Sequence, residues 1–375
     1  MKINGKSNPI GGILVGFLFV IGGLILLWWN EGRTVKTEAA IKEAEKTYID
    51  VSADKVDSAN EGKLIATKGE QVREDKIKDD VFGVLVDSSK LRRYVEVYQW
   101  VENCSTDDNN NESCTYEKNW KDDLIDSSKF KESVDHTNPK TMQYENKTFT
   151  SKDVKVGEFI IPQEKINSLS TNEYVTLSKD NDDQRYAAYQ LKLNIDGKYF
   201  TNSNNLSSPE IGDYRISFKY NDAKYVSMMG VQRGNTIESY KAKSGYSVFE
   251  LYEGLFDGAG IIQNMRDTNR IIKILCRAGG ILLVVIGLLA IISPIQKLAS
   301  YVPILGAIFN GITTLAAIIL GVAISIIDIA IAWIVYRPVL GIALLVVAGV
   351  LIVVSILLKK KKPVQQPVQQ QTTEQ

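Results

Sequence analysis

Apolar residues gather in four long runs along this chain, one near its start and three near its end. A helix needs about 18 or more consecutive apolar residues to cross the hydrocarbon core of a bilayer. Ile10–Trp29, Ile274–Ile292, Ile304–Val335 and Val339–Leu358 all reach that length. They predict transmembrane helices over residues 10–29, 271–293, 304–335 and 339–358. Arg277 is the one charge near the start of the second run and Asp328 the one charge inside the third. The stretch 30–270 is polar and its period changes along its length. Asn30–Tyr48 is rich in Glu, Ala and Lys, so the first span should continue as a helix out of the membrane. From about Asp50 the alternation is strand-like. Lys63–Thr67 predicts a short strand. In Leu91–Val101, Val95, Val97 and Val101 face one way and Tyr94, Tyr98 and Trp100 the other. Thr115–Trp120 returns from a polar hairpin, and Tyr189–Ile195 alternates through Leu191 and Leu193. In Asp213–Tyr220, Tyr214, Ile216, Phe218 and Tyr220 oppose Arg215, Ser217 and Lys219, and Tyr225–Gln232 is expected to pair next. Turn residues at Asp196–Gly197, Gly212–Asp213 and Arg233–Gly234 separate these strands. Short helices are expected at Lys129–Ser133 and Pro162–Ser168. The fold class is α+β: a mainly β extracytoplasmic or lumenal domain, 30–270, between one N-terminal and three C-terminal spans.

Charge then sets the orientation. Lys2 and Lys6 lie in the tail 1–9, and Lys359, Lys360, Lys361 and Lys362 open the Gln-rich tail 359–375, which is expected to be disordered. Lys and Arg mark the cytoplasmic side, so both tails should be cytoplasmic, which four crossings allow. Arg270, Lys273 and Arg277 fall on the outer side and count against this, though less so beside a long translocated domain. A cleaved signal peptide is the rival to the first span. The length of the run and its bulky end, Trp28–Trp29, oppose cleavage and suit a membrane–water interface. Gly12 and Gly16 are spaced to let another helix approach. The four C-terminal lysines should meet the anionic leaflet.

Composition narrows the chemistry. The chain holds three cysteines and one histidine, and 44 basic residues balance 44 acidic ones. With no net charge there is no global field to attract nucleic acid, which is not expected as a partner. One histidine cannot build a His-based metal site, and H-E-x-x-H, C-x-x-C, G-x-S-x-G and P-loop patterns are absent. No cofactor, metal or catalytic residue is therefore assigned. Cys104 and Cys114 flank a hairpin tip and would form a disulfide in an oxidising compartment, or remain two free thiols in a reducing one. Cys276 starts a span. Asp328 needs a partner or a wet path in the membrane: an ion pair with Arg277, or an ion route lined by Ser325, Thr313, Thr314 and Asn310. Tyr336, Arg337 and Pro338 make an interfacial turn, with Arg337 placed for a lipid phosphate or the domain above. Arg92, Arg93, Tyr94, Tyr98 and Trp100 form a basic-aromatic strand that is a candidate partner surface.

Several stretches resemble the LUMA family of four-pass membrane proteins. Asn30-Glu31-Gly32-Arg33 looks like its opening motif and Asn60-Glu61-Gly62-Lys63-Leu64 its second. The most specific is Lys90-Leu91-Arg92-Arg93-Tyr94-Val95-Glu96-Val97-Tyr98-Gln99-Trp100-Val101-Glu102. Trp120, His136-Thr137-Asn138-Pro139, Gly212-Asp213-Tyr214-Arg215-Ile216-Ser217-Phe218, Gln232-Arg233-Gly234, Lys243-Ser244-Gly245 and Tyr336-Arg337-Pro338 follow in order. The resemblance implies one N-terminal span, a large lumenal domain, three C-terminal spans and cytosolic termini. Eukaryotic members are associated with the endoplasmic reticulum, the inner nuclear membrane, lamin and emerin binding, self-association, and a channel-like role. The short first tail and the Lys- and Asn-rich composition suit a bacterial member, for which lamin binding would not carry over. Three functions remain open. The first is a non-enzymatic scaffold that self-associates and binds membrane lipids or an unidentified protein. The second is a channel or transporter using Asp328, and the third an extracytoplasmic hydrolase.

Overall fold

A computed structural model describes residues 9–106, 111–177, 191–193, 197–299, 303–343, 346 and 350. They fall into two compact units. One comprises Met1–Glu38 with Asp267–Gln375, and the other Ala39–Arg266.

In the first unit, three helices among the described residues are long and apolar enough to cross a membrane. Helix α1 is Pro9–Thr47, continuing without a break past its apolar run because Glu, Ala and Lys favour helix there. After the short α2 (Gln163–Ser168) in the second unit come α3, Gly258–Ala299, and α4, Pro303–Tyr336. The expected fourth span, 339–358, lies mostly outside the described residues, as do Lys2, Lys6 and Lys359 to Lys362.

Helices α1 and α3 pack antiparallel along a seam of small residues. A methyl built on Gly16 would lie 2.7 Å from the Gly287 carbonyl, and one on Gly23 would lie 2.8 Å from the Gly280 carbonyl. Reciprocally, a methyl on Gly287 would lie 2.6 Å from the Gly16 carbonyl. Only glycine lets the two backbones come this close. The contacts recur every seven residues on both helices, the period of a left-handed supercoil. Gly12 has open space around it, so the glycine paired with Gly16 by function is Gly23, not the expected Gly12. Near the far end of α3, the Gln296 amide donates to the hydroxyls of Thr313 (2.8 Å) and Thr314 (3.0 Å) on α4.

The second unit is mainly β, in two principal sheets. In one, Leu64–Arg73 pairs with Tyr225–Arg233 and with Val154–Val156. Val154–Val156 pairs with Phe159–Ile160, which meets Thr236–Glu238, which pairs back with Tyr225–Arg233. The ladder thus closes on itself, leaving these five strands no free edge. Ile65, Val156, Phe159, Met228 and Ile237 share the adjoining core. A second core joins Leu64 and Met229 to Ala40, Ile41 and Ala44 of α1 and Ile261, Ile262 and Met265 of α3.

The other sheet is built on Lys90–Thr106, seventeen residues long. Tyr214–Tyr220 pairs along one edge, and Lys147–Thr150 and then Glu112–Lys121 pair along the other. Its core holds Leu91, Val95, Val97, Phe200, Ile216 and Phe218 around Phe82. Glycines at the three expected turns, Gly197, Gly212 and Gly234, all have positive φ, which a Cβ would penalise.

Three expectations need correction. Tyr225–Arg233 does not pair with Tyr214–Tyr220; it sits in the other sheet against Leu64–Arg73. Adjacency in sequence favours a hairpin, but the apolar face of each strand is buried in a different core. The Lys63–Thr67 strand is longer than expected, Leu64–Arg73, because a central strand gains partners on both edges. The helix expected at Lys129–Ser133 is a single 3₁₀ turn, Ser127–Lys129, capped by the Asp126 carboxylate. Of Tyr189–Ile195, Lys192–Leu193 is strand and Leu191 beside it is buried; the remaining residues lie outside those described.

Candidate functional site

The last turns of α1's apolar run meet α3 and α4 in a polar cluster. Glu31 is 0 % exposed. Its Oε1 accepts from Arg277 Nε at 2.6 Å and its Oε2 from the Trp333 indole N–H at 2.9 Å. A buried carboxylate is tolerated when both oxygens find donors and a counter-ion faces it. Asn30 Nδ2 donates to the Lys273 carbonyl (3.1 Å), extending the glycine seam by one more heptad. Arg33 donates to Asn269 Oδ1 (3.0 Å), and Asn269 Nδ2 to the Thr34 carbonyl (3.3 Å). Gly32 lies under the Tyr336 ring, where a methyl would come within 2.7 Å. Trp28 meets Tyr336 edge-on at 5.9 Å. Two guanidiniums, Arg277 and Arg337, lie 5.6 and 5.8 Å from the centre of Trp333.

The expected Arg277–Asp328 pair is not formed. Arg277 takes Glu31 instead, an acid at the same level on a neighbouring helix, while Asp328 lies more than two turns before the end of α4. Asp328 Oδ2 has no hydrogen-bond partner among the described residues. The hydroxyls proposed to line a route past it are otherwise engaged. Ser325 donates to the Gly321 carbonyl (2.8 Å), Thr313 to the Phe309 carbonyl (2.9 Å), and Thr313 and Thr314 accept from Gln296. Cys276 is a half-buried free thiol.

In the β unit, Lys90–Thr106 sorts its side chains by parity. Arg92, Tyr94, Glu96, Tyr98 and Trp100 are half-exposed on the outer face, alternating with buried neighbours. Cross-strand partners continue the face. Arg92 lies over Tyr94 (4.5 Å), Lys219 over Tyr94 (5.7 Å), Arg215 over Trp120 (4.7 Å) and Lys118 over Trp100 (4.8 Å). Arg215 also makes two 2.6 Å bonds to Glu96. Cations over aromatic faces are mutually stabilising. Arg93 does not belong to this surface. Strand periodicity turns it inward, where it is 5 % exposed, pairs with the fully buried Asp79 at 2.8 Å, and donates to the Glu145 carbonyl at 2.9 Å.

Farther along the same face, Cys104 and Cys114 sit directly opposite each other and are joined by a disulfide. His136 stacks on Tyr116 (3.8 Å), meets Trp100 edge-on (4.5 Å) and donates through Nδ1 to the Glu132 carbonyl (2.8 Å). The Tyr116 hydroxyl donates to Glu102 at 2.7 Å and holds that carboxyl below its ordinary pKa. Glu102 and the two sulfurs lie close enough to ligate one ion, but disulfide sulfurs lack the thiolate charge a metal takes. Asn138 fastens the His136 loop to the strand, accepting from Trp100 N (2.7 Å) and donating to Trp100 O (2.9 Å). A cavity of about 500 Å³ beside it is lined by Asp126, Ser127, Ser128, Ser133, Thr137 and Lys140 among others. A second, of about 400 Å³, has Asp75 and Asp153 beside Lys76, Lys78 and Lys152.

Residues 97–338 match the profile of the transmembrane protein 43 family, well over half of the chain. The chain belongs to the transmembrane protein 43 family. It is 27 % identical to transmembrane protein 43 of Mus musculus and 28 % identical to that of Homo sapiens, each over 352 residues. Each alignment covers 88 % of this chain and 86 % of the relative. The Drosophila melanogaster homologue is 25 % identical over 347 residues, 88 % of this chain and 90 % of its own. No solved structure matches. The LUMA resemblance read from motifs thus stands, and this family member is a multi-pass integral membrane protein. Sequence reasoning quoted Glu31 within a motif but missed its role. The available signal was an acid two residues after Trp28–Trp29, too close to the bilayer to lack a partner.

Proposed function

We propose that this family member is a non-enzymatic membrane organiser that self-associates and binds a protein or lipid partner through its extracytoplasmic domain. The observation that carries this is the outer sheet face of Arg92, Tyr94, Tyr98, Trp100 and Trp120, half-exposed, with the exposed Lys118, all ordered by cross-strand contacts. Aromatic residues and arginine are the side chains over-represented at protein interfaces and their hot spots. The relatives are named only as transmembrane proteins, and the cavities hold exposed carboxylates beside lysines, so a hydrolase reading gains no support from either. Lys359 to Lys362 serve as an anchor on the anionic leaflet. A bacterial inner membrane with a periplasmic domain suits the composition; an endoplasmic reticulum or inner nuclear membrane with a lumenal domain is the alternative. Crosslinking of the full chain in native membranes tests the reading. It predicts dimers or higher species and a partner adduct, both reduced by Tyr98→Ala with Trp100→Ala. Monomer alone, with no adduct, overturns it.

One observation favours a second reading. Asp328 is an acid in an apolar helix whose Oδ2 lacks a partner among the described residues, and such residues mark ion or proton paths in other proteins. Flux in liposomes that Asp328→Asn abolishes supports an ion path; absent or unchanged flux removes it.

A further inference from the structure

The polar cluster at the helix ends carries more positive charge than it uses. Glu31 is satisfied by Arg277 and Trp333, and Arg33 donates through its Nη atoms to the neutral Asn269, Asn30 and Thr34. That leaves Lys273 and Arg337, with Arg270 a turn away, forming no ion pair or side-chain hydrogen bond among the described residues. Lys273 lies in the field of Arg277, Arg337 and Arg270 and of one acid, Glu31. Its own backbone carbonyl is fixed by Asn30, and Arg337 is held against Trp333. The two cations are therefore placed by the fold and are not loose surface charges.

Their depth is marked independently. Trp28, Trp29, Trp333 and Tyr336 cluster at this end of the spans, with Trp28 against Tyr336 and Trp29 53 % exposed. Tryptophan and tyrosine gather at the headgroup level of a bilayer. Uncompensated cations at that level face lipid phosphates, and guanidinium and ammonium groups are the donors that phosphate takes best. Self-repulsion among Lys273, Arg277 and Arg337 is relieved by one anion between them.

We propose that Lys273 and Arg337, beside the Glu31–Arg277–Trp333 cluster, bind the phosphate of an anionic membrane phospholipid. The site is separate from the Lys359–Lys362 tail. It rests on the membrane-spanning fold and not on the scaffold reading, so partner capture and lipid binding fail independently.

The test uses the full chain purified in non-ionic detergent and titrated with phosphatidylglycerol, phosphatidylcholine or glycerol phosphate, with bound lipid counted by native mass spectrometry. One phosphatidylglycerol per chain should be retained in preference to phosphatidylcholine. Lys273→Gln with Arg337→Gln should raise the half-saturating concentration about thirtyfold, and each single change about fivefold, from about 1 kcal/mol per cation at the surface. Lys273→Arg with Arg337→Lys should keep binding, as should neutralising Lys359 to Lys362. Unchanged binding in the single Gln variants overturns the site. Equal retention of phosphatidylcholine overturns the charge argument, and equally tight glycerol phosphate overturns the lipid assignment in favour of a free phosphate.

Discussion

Glu31→Gln should loosen the junction of α1 with α3 and α4 more than removal of any charge outside the Glu31–Arg277 pair. The change keeps the side chain's shape and removes its charge, leaving Arg277 with no acid in bonding distance. Breaking a buried pair from one side costs about 3–5 kcal/mol. Arg277 retains 27 % side-chain exposure while Glu31 has none, so the lower figure, about 3 kcal/mol, applies to Glu31→Gln. Arg277→Gln strands the fully buried carboxylate on a single indole N–H and should cost about 4 kcal/mol. Trp333→Phe removes one hydrogen bond to a charged group and should cost about 1.5–2 kcal/mol. The decisive quantity is the coupling. A double-mutant cycle on Glu31 and Arg277, measured by denaturant unfolding of the full chain in micelles, should give about 2–3 kcal/mol. Coupling below about 0.5 kcal/mol, the scatter of independent sites, refutes the pairing. A parallel cycle on Arg277 and Asp328 should fall within that scatter, since the two do not touch.

Other consequences follow from the same contacts. Arg93→Ala should destabilise the β unit by about 3–5 kcal/mol, because it strands the buried Asp79, whereas Arg92→Ala on the outer face should stay within about 1 kcal/mol; chemical unfolding compares them. Gly280→Val should cost about 1–3 kcal/mol by overpacking against Leu27, while Gly279→Val, with open space around it, should be nearly silent in the same thermal assay. Burial pushes the Glu250 carboxyl above its ordinary pKa, partly opposed by Lys165 and a Tyr252 hydrogen bond. The folded state then holds that proton more tightly than the unfolded one, so the contribution is present in acid and is lost as pH rises through the folded value. Glu250→Gln should therefore gain stability relative to the natural chain as pH rises above the ordinary carboxylate range in thermal melts; parallel curves would remove this cause.

The spans and strand faces were legible in the sequence because they depend on local period. Apolar length alone marks Ile10–Trp29, and alternation alone separates Val95 and Val97 from Tyr94 and Tyr98. The same alternation turns Arg93 inward, though a basic pair in one motif invites grouping it with Arg92. Cys104 and Cys114 were within reach because a hairpin brings near neighbours together. What periodicity cannot carry is the choice among distant partners. Glu31 and Arg277 are 246 residues apart, and two intramembrane acids compete for that arginine. The choice falls to helix level, which depends on the glycine register of α1 against α3. Tyr225–Arg233 likewise pairs across about 160 residues with Leu64–Arg73, where a hairpin with its neighbour was the local expectation.

One β-rich domain on a single side of the membrane, its outer sheet face stapled by a disulfide, is the central prediction. Cysteine accessibility in intact cells tests this most directly, using a membrane-impermeant maleimide on a Cys276→Ser chain with and without reductant. Labelling of Cys104 and Cys114 only after reduction, with the membrane intact, is the predicted result. Labelling without reductant and only after the membrane is breached would put the domain in the reducing interior and contradict it.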